Sequence, residues 1–257
     1  MSLFWLRRVS AALAFTLFAA LMPGPVAAQT TLPRAEIEKI VKEYLLANPE
    51  VLRDALIELD RRGKVAEEEQ RSKAVQALAP KLFRSPHQVV LGNPQGKIDL
   101  VEFFDYNCGY CKRSVEDLAQ IMKKNPDVRV ILKEFPVLGP GSVEAAQVAH
   151  ALRMQVTGDK YWAFHTKLLG SRGQVGRAQA LAVAKETGAD MTRLQKDMES
   201  DSIKVALQEV MSMADALSLT GTPSYVLGTD VVVGAVGAEQ LQGRIDSLRK
   251  CGQTDCK

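Results

Sequence analysis

Two cysteines separated by two residues, in Cys108-Gly109-Tyr110-Cys111, are the most chemically pointed feature of this 257-residue sequence. A thiolate is the nucleophile of disulfide chemistry, and it needs a setting that favours its charge. The free N–H groups and the positive end of a helix provide one if Cys108 stands where a helix begins. One turn further on, Cys111 is close enough to attack a mixed disulfide held on Cys108. Two intervening residues thus supply an activated nucleophile and a resolving partner. Three other readings compete. Half of a zinc site would need Cys251 and Cys256 as its other half, spaced by four residues at the far end of the chain. Covalent haem requires His after the second cysteine, where Lys112 stands. A merely structural 108–111 disulfide seldom occupies a strand-to-helix turn. Redox chemistry is the expectation.

Other candidates are fewer. Cys251 and Cys256 enclose Gly252-Gln253-Thr254-Asp255 and read as a small structural disulfide, the sharper alternative being a pair that relays electrons to the first. Nothing near them in sequence activates a thiolate. His87, His150 and His165 form no ligand spacing and are expected to be packing or surface residues. Gly139-Pro140-Gly141 lacks the Lys and spacing of a phosphate loop. No cofactor and no metal site is expected. The formal net charge of +3 falls to +1 without the first 28 residues, which carry Arg7 and Arg8 and no acid. Such a balance argues against a nucleic-acid partner.

The elements that must position the cysteines follow from hydrophobic patterning. Ile98 to Phe104 is a near-continuous apolar run broken by Asp99 and Glu102, as in a central strand. Asp105-Tyr106-Asn107 leads out of it, Cys108 starts a helix to about Lys124, and Val128 to Leu132 is a second central strand. Strand, helix and strand in this order predict a parallel pair joined by a crossover helix. Val89 to Leu91 is a further short strand. Residues 142 to 217 are almost entirely helical in pattern, with Ser142 placed to cap the first helix. Gly221-Thr222-Pro223 then leads into a hairpin, Tyr225 to Leu227 and Val231 to Val233, before a last helix from Glu239 to Arg249. The fold class is α/β.

The amino-terminal part reads differently. Arg7 and Arg8 flank an apolar run of 14 residues, Val9 to Met22, followed by Pro23-Gly24-Pro25 and by Val26-Ala27-Ala28 ahead of Gln29. This is the layout of a secretory signal over residues 1–28, and the run is short for a bilayer span of about 20 residues. Export favours oxidation of paired cysteines. Residues 34 to 59 read as helix, with Ile37, Ile40, Val41, Tyr44 and Leu45 in one stripe and a restart at Asn48-Pro49-Glu50. Nine of the fourteen residues from Asp60 to Lys73 are charged, as in a solvated helix or linker. The domain division expected is therefore a leader at 1–28, a helical stalk at 29–79 that pairs with copies of itself through residues 34–59 or, as the alternative, folds back onto the main domain, and a main domain at 80–257.

The stretch Val101-Glu102-Phe103-Phe104-Asp105-Tyr106-Asn107-Cys108-Gly109-Tyr110-Cys111-Lys112 resembles the active-site segment of DsbA-family thioredoxin-fold proteins, particularly the ScsC-like and Com1-like members. Gly221-Thr222-Pro223 is similar to that family's cis-proline loop, and Tyr161-Trp162-Ala163-Phe164-His165 resembles a stretch of its inserted helical domain. The likeness covers about residues 80 to 250, and Leu45 to Glu50 resembles the stalks of ScsC-like proteins. It implies a thioredoxin fold with a helical insertion at about 140–217. It implies Cys108 and Cys111 as catalytic, and Glu102 as a buried acid that takes a proton from Cys111, against the alternative of a partly exposed strand carboxylate. Thr222 and a cis Pro223 would meet the substrate strand together with Gly109 and Tyr110. The Gly-Tyr pair resembles the site of the disulfide isomerase DsbC. The activity implied is a periplasmic thiol–disulfide oxidoreductase, an isomerase or reductase first, with a disulfide-donating oxidase as the alternative and a chaperone-like binding module as a third reading. Partners implied are cysteine-containing proteins and a membrane redox protein.

Overall fold

The structure, a computed structural model, describes residues 32–256. The leader expected at residues 1–28 lies outside them. The chain divides into two compact units between Ile57 and Glu58.

In the first unit, α1 (Arg34–Ala47) carries no buried residue, and Ile37, Ile40, Val41, Tyr44 and Leu46 are all exposed. Asn48 closes it, with its backbone and side-chain N–H groups both donating to the Tyr44 carbonyl at 2.9 and 2.8 Å. Pro49 then opens α2 (Pro49–Arg84), a position where its missing N–H is not needed. Val51, Leu52, Leu56 and Ile57 continue the exposed apolar series.

The charged stretch from Asp60 to Lys73 is not a linker. It is helical throughout, and α2 runs on past Pro80 to Arg84, so the boundary expected at residue 80 falls inside a helix. The i,i+4 pair Asp60–Lys64 lies on its solvated face, and the pair Glu67–Arg71 follows, with Arg71 half-buried and donating to the Ser218 carbonyl at 3.4 Å. Its last turns become core, with Val75 and Leu82 buried.

The second unit is built on a five-stranded sheet in the order β1-β3-β2-β4-β5. The strands are β1 (Val89–Gly92), β2 (Ile98–Phe104), β3 (Val128–Glu134), β4 (Ser224–Leu227) and β5 (Asp230–Val233). β2 and β3 pair in parallel, joined by α3 (Gly109–Lys124), and the other neighbours are antiparallel. Side chains alternate between two cores, as the pleat requires. Leu100, Phe104, Val130, Leu132, Tyr225 and Leu227 join one, with Leu118 and Ile121 of α3. Val101, Phe103, Ile131 and Val226 join the other, with Val75 and Leu82 of α2 and Val210 and Met213 of α8 (Asp201–Ala216). Between β3 and β4 the chain makes five helices, α4 (Pro140–Leu152), α5 (Gly158–Leu169), α6 (Arg177–Glu186), α7 (Met191–Met198) and α8, and α9 (Ala238–Cys251) ends the fold. This is a thioredoxin-type mixed sheet with a helical insertion.

Candidate active site

Cys108 stands where β2, the middle strand, hands over to α3. It is the N-cap of α3, and its sulfur accepts the Cys111 N–H at 3.4 Å. The Cys108 thiol donates to the Thr222 carbonyl at 3.2 Å across 114 residues. The Thr222–Pro223 peptide bond is cis. The β2–β4 pairing, Phe103 opposite Ser224, holds that loop against the end of β2. Cys108 is 5% exposed and Cys111 1%, and both are free thiols. Gly109 and Tyr110 are exposed between them, with the Arg113 guanidinium 4.4 Å over the Tyr110 ring.

Glu102 lies beneath this pair on the same face of the sheet. It is 1% exposed, so the reading of it as a partly exposed carboxylate does not hold. Burial pushes its carboxyl up to about 8, against hydrogen bonding from Ser114 and Tyr225 that lowers it and the charge of Asp117 that adds to the rise. The Ser114 hydroxyl is 3.1 Å from Glu102 Oε1 and 3.0 Å from the Cys111 carbonyl, so one side chain of α3 bridges Glu102 and Cys111. Burial, then the nearby Glu102 carboxylate, pushes the Cys111 thiol far above its ordinary range. The two buried groups thus lie within electrostatic reach of each other, each holding its proton more tightly than in water.

Two polar residues of the turn fix the mouth of α3, and sequence reasoning passed over both. Asp105 is buried and accepts four hydrogen bonds: from the Asn107 N–H and the Ser142 hydroxyl on Oδ1, each at 2.7 Å, and from the N–H groups of Val137 and Leu138 on Oδ2, each at 2.9 Å. Asn107 clamps Val175 at both backbone groups, donating to its carbonyl at 2.9 Å and accepting its N–H at 2.6 Å. It also donates to the Ser142 hydroxyl at 3.0 Å. Ser142 is not the cap of α4. Gly139 is, and the Ser142 hydroxyl inside the helix serves Asp105 instead. The sequence signal was the Asp-x-Asn pair just ahead of the cysteines, short polar side chains suited to local backbone bonds.

Cys251 and Cys256 are bonded to each other at 2.09 Å, at the end of α9. His165 is buried in aromatic packing, 4.7 Å between ring centroids from Phe104 and 5.7 Å from Tyr106. His150 is buried beside Glu134, and His87 is half-buried beside Arg153. Among the described residues no group of three or more His, Cys, Asp or Glu is placed to hold a metal ion. No helix among them is long and apolar enough to cross a membrane.

Comparison with known proteins gives the geometry a setting. The family model described as a DSBA-like thioredoxin domain matches residues 99–246, and that of the copper resistance protein ScsC N-terminal domain matches residues 34–64. The chain is 41% identical to a thioredoxin-like oxidoreductase from Silicibacter pomeroyi, covering 67% of this chain and 98% of that one with a TM-score of 0.63. A linker-deletion mutant of Proteus mirabilis ScsC is 28% identical, with a TM-score of 0.65 over 87% of this chain and 100% of that one. Among curated proteins, the thiol:disulfide interchange protein DsbA of Bordetella pertussis is 24% identical over 60% of this chain and 75% of its own length. The chain spans only 24% of the Na(+)/H(+) antiporter NhaA 1 of Salinispora arenicola, to which it is also 24% identical.

Proposed function

The chain belongs to the DSBA-like thioredoxin family and is a thiol–disulfide oxidoreductase of the DsbA/ScsC type, and from that premise we propose that Cys108 and Cys111 carry its chemistry, in the direction of an exported disulfide isomerase or reductase. The observation that carries the reading is the junction of Cys108 with Thr222: the first sulfur sits at a helix N-terminus and touches the carbonyl of the residue before a cis proline.

The steps follow from the positions. The Cys108 thiolate attacks one sulfur of a protein disulfide; a Cys108–substrate disulfide forms and the other substrate sulfur leaves as a thiolate, taking up a proton. In a reduction, Cys111 gives its proton to the Glu102 carboxylate and attacks the Cys108 sulfur. The Cys108–Cys111 disulfide forms, the second substrate thiol departs, and two electrons have passed from protein to substrate. In an isomerisation a different substrate thiolate displaces Cys108, which returns reduced. Thr222 presents a backbone N–H and C=O to an extended substrate strand, Pro223 sets their direction, and Gly109 and Tyr110 form the exposed surface over which that strand passes. Cys251–Cys256 acts as a structural clasp.

Three further assignments belong to the same reading. Residues 1–28 are a cleaved leader that delivers the protein to the periplasm, in keeping with the periplasmic thioredoxin-like relative from Salmonella enterica. Residues 29–79 form a stalk that associates with its own copies through 34–59, supported by the exposed apolar series of α1 and the ScsC-type match there. A membrane redox protein keeps the cysteines reduced.

The test is in the cell. Trapping free thiols with an alkylating reagent is expected to find Cys108 and Cys111 mostly reduced, and a mostly oxidised pair would assign the opposite direction, disulfide donation. With purified protein, Cys108→Ala is expected to abolish exchange and Cys111→Ala to accumulate mixed disulfides on non-reducing gels. A Cys108→Ala protein with undiminished exchange activity removes the proposal.

A further inference from the structure

Two acceptors buried beneath the cysteines share one hydrogen. Ser114, on α3, is 1% exposed, and its hydroxyl meets both Glu102 Oε1 at 3.1 Å and the Cys111 carbonyl at 3.0 Å. A hydroxyl carries a single hydrogen and otherwise accepts, so it can donate to only one of the two at a time. The Cys111 carbonyl lies inside the helix, where the N–H four residues on is its ordinary donor. It can lose the serine and stay paired.

Glu102 has no such reserve. In the sheet it stands between Leu132 of β3 and Tyr225 of β4. The titratable groups around it are Asp117 and Cys111 of α3, Tyr106 of the turn and Tyr225, none of them a cation. Among the described residues no Lys, Arg or His forms an ion pair with it. Lys133 stands opposite Phe103, on the other face of the sheet, and donates to the Lys81 carbonyl of α2 at 2.8 Å. Asp117 accepts the Ala238 N–H at 3.0 Å at the start of α9, so its charge stays near and opposes a second one. A carboxylate at Glu102 is stabilised instead by the hydroxyls of Ser114 and Tyr225. The Tyr225 hydrogen can remain on the carboxyl in either state, since a carboxylic acid keeps an acceptor oxygen. The serine hydrogen cannot.

We propose that Ser114 is a positioning residue for the resolution step, its one hydroxyl hydrogen lying on Glu102 when that group is a carboxylate and on the Cys111 carbonyl when it is an acid. The inference rests on the oxidoreductase reading above, with Glu102 as the base, and adds how that base is held and released. An ionised acceptor draws the hydrogen more strongly than a neutral carbonyl, a charge-assisted bond being roughly twice as strong. When Cys111 passes its proton to Glu102, the new acid O–H needs an acceptor, and Ser114 Oγ is beside it. The serine hydrogen then swings to the Cys111 carbonyl, so the attacking residue gains a donor as its sulfur becomes a thiolate. One proton moves from Cys111 Sγ to Glu102, and Ser114 exchanges only hydrogen bonds.

The test reads this exchange without turnover. In the reduced, full-length protein, the carbon-13 resonances of the Glu102 carboxyl and the Cys111 carbonyl are followed across the Glu102 titration, whose midpoint burial raises to about 8. Both are expected to move with one midpoint, the carbonyl shifting upfield as the serine hydrogen leaves it. In Glu102→Gln that part of the carbonyl response is expected to vanish, while any response to Cys108 itself persists. Ser114→Ala is expected to uncouple the carbonyl and to raise the carboxyl midpoint by about one to two pH units, the size of one lost hydrogen bond to a charged group. The pH inflection of mixed-disulfide decay should rise with it. Ser114→Thr, which keeps the hydroxyl, is expected to restore all three, whereas a serine that only packs would move none of them. Should Ser114→Ala fail to fold, the parent and Glu102→Gln spectra still decide. A Cys111 carbonyl indifferent to the Glu102 titration, or an unmoved carboxyl midpoint in Ser114→Ala, overturns the inference. So does mixed-disulfide decay in the parent without an inflection at that midpoint, because Glu102 is then not the base. A reduced protein that forms no mixed disulfide at all, its carbonyl response intact, overturns the oxidoreductase reading instead.

Discussion

Glu102 puts a titration into the middle of the sheet. Its carboxyl is raised to about 8 by burial, so between about pH 4.5 and 8 the folded protein keeps a proton that the unfolded chain has lost. Stability from this group is complete below pH 4.5 and is lost as pH rises through 8; between pH 4.5 and 7 the loss is on the order of 3 kcal/mol at about 1.36 kcal/mol per unit. Glu102→Gln is therefore expected to flatten the pH dependence of urea unfolding over that window and to raise stability at pH 7. The same change is expected to harm the chemistry. Only the carboxylate can accept the Cys111 proton, so the resolution rate of the unaltered protein should climb with pH up to about 8. In Glu102→Gln that inflection should vanish and the rate at pH 8 fall roughly 100-fold, the lower end of the usual range for a lost general base. Stopped-flow measurement of mixed-disulfide decay in the absence of denaturant separates the two effects, because it follows resolution in protein that stays folded. A Gln variant that resolves as fast as the parent, with the same inflection, dismisses Glu102 as the base.

At the scale of elements, the clamp of Asn107 on Val175 joins the mouth of α3 to the 170–176 loop of the insertion. Asn107→Ala leaves the N–H and C=O of the buried Val175 without this partner and is expected to destabilise by about 2 to 3 kcal/mol, seen as a lower denaturant midpoint. It should also raise hydrogen exchange in residues 171–176 selectively, whereas an effect spread evenly over the fold would make Asn107 an ordinary packing residue. This clamp was not legible in the sequence, because it ties residues 68 positions apart and nothing local announces the partner. The strands were legible: Val101 and Phe103 alternate with Leu100, Glu102 and Phe104, and the apolar run of β3 suits a strand covered on both faces. The cysteine pair was legible for the same reason, its four residues being contiguous. The continuation of α2 was not. Asp60 to Lys73 shows no apolar period, and Pro80 argues against a helix through its own position, since proline removes a backbone donor. Only Val75, Leu78 and Leu82, at spacings of three and four, carried the buried face. Ser142 misled because a serine after Gly-Pro-Gly has the local look of a cap, while its true partner, Asp105, is 37 residues away.

For the molecule as a whole, the exposed apolar series of the first unit is the feature with the largest expected consequence. Isolated surface apolar residues are ordinary, but Ile37, Ile40, Val41 and Tyr44 form one stripe on a helix with nothing buried. Sedimentation of the mature full-length protein is expected to give an oligomer, and replacing Ile40 and Tyr44 with Glu to give a monomer without loss of Cys108 reactivity. A monomer before any substitution refutes self-association through this stretch.

The separation of Cys108 from Thr222 by 114 residues has a consequence for the newborn chain. At about 5 to 20 residues per second, the ribosome delivers the thiol pair roughly 6 to 20 s before the proline segment that will shelter it. For that interval Cys108 and Cys111 lack the Thr222 carbonyl that Cys108 meets in the fold, and the Cys251–Cys256 pair arrives later still.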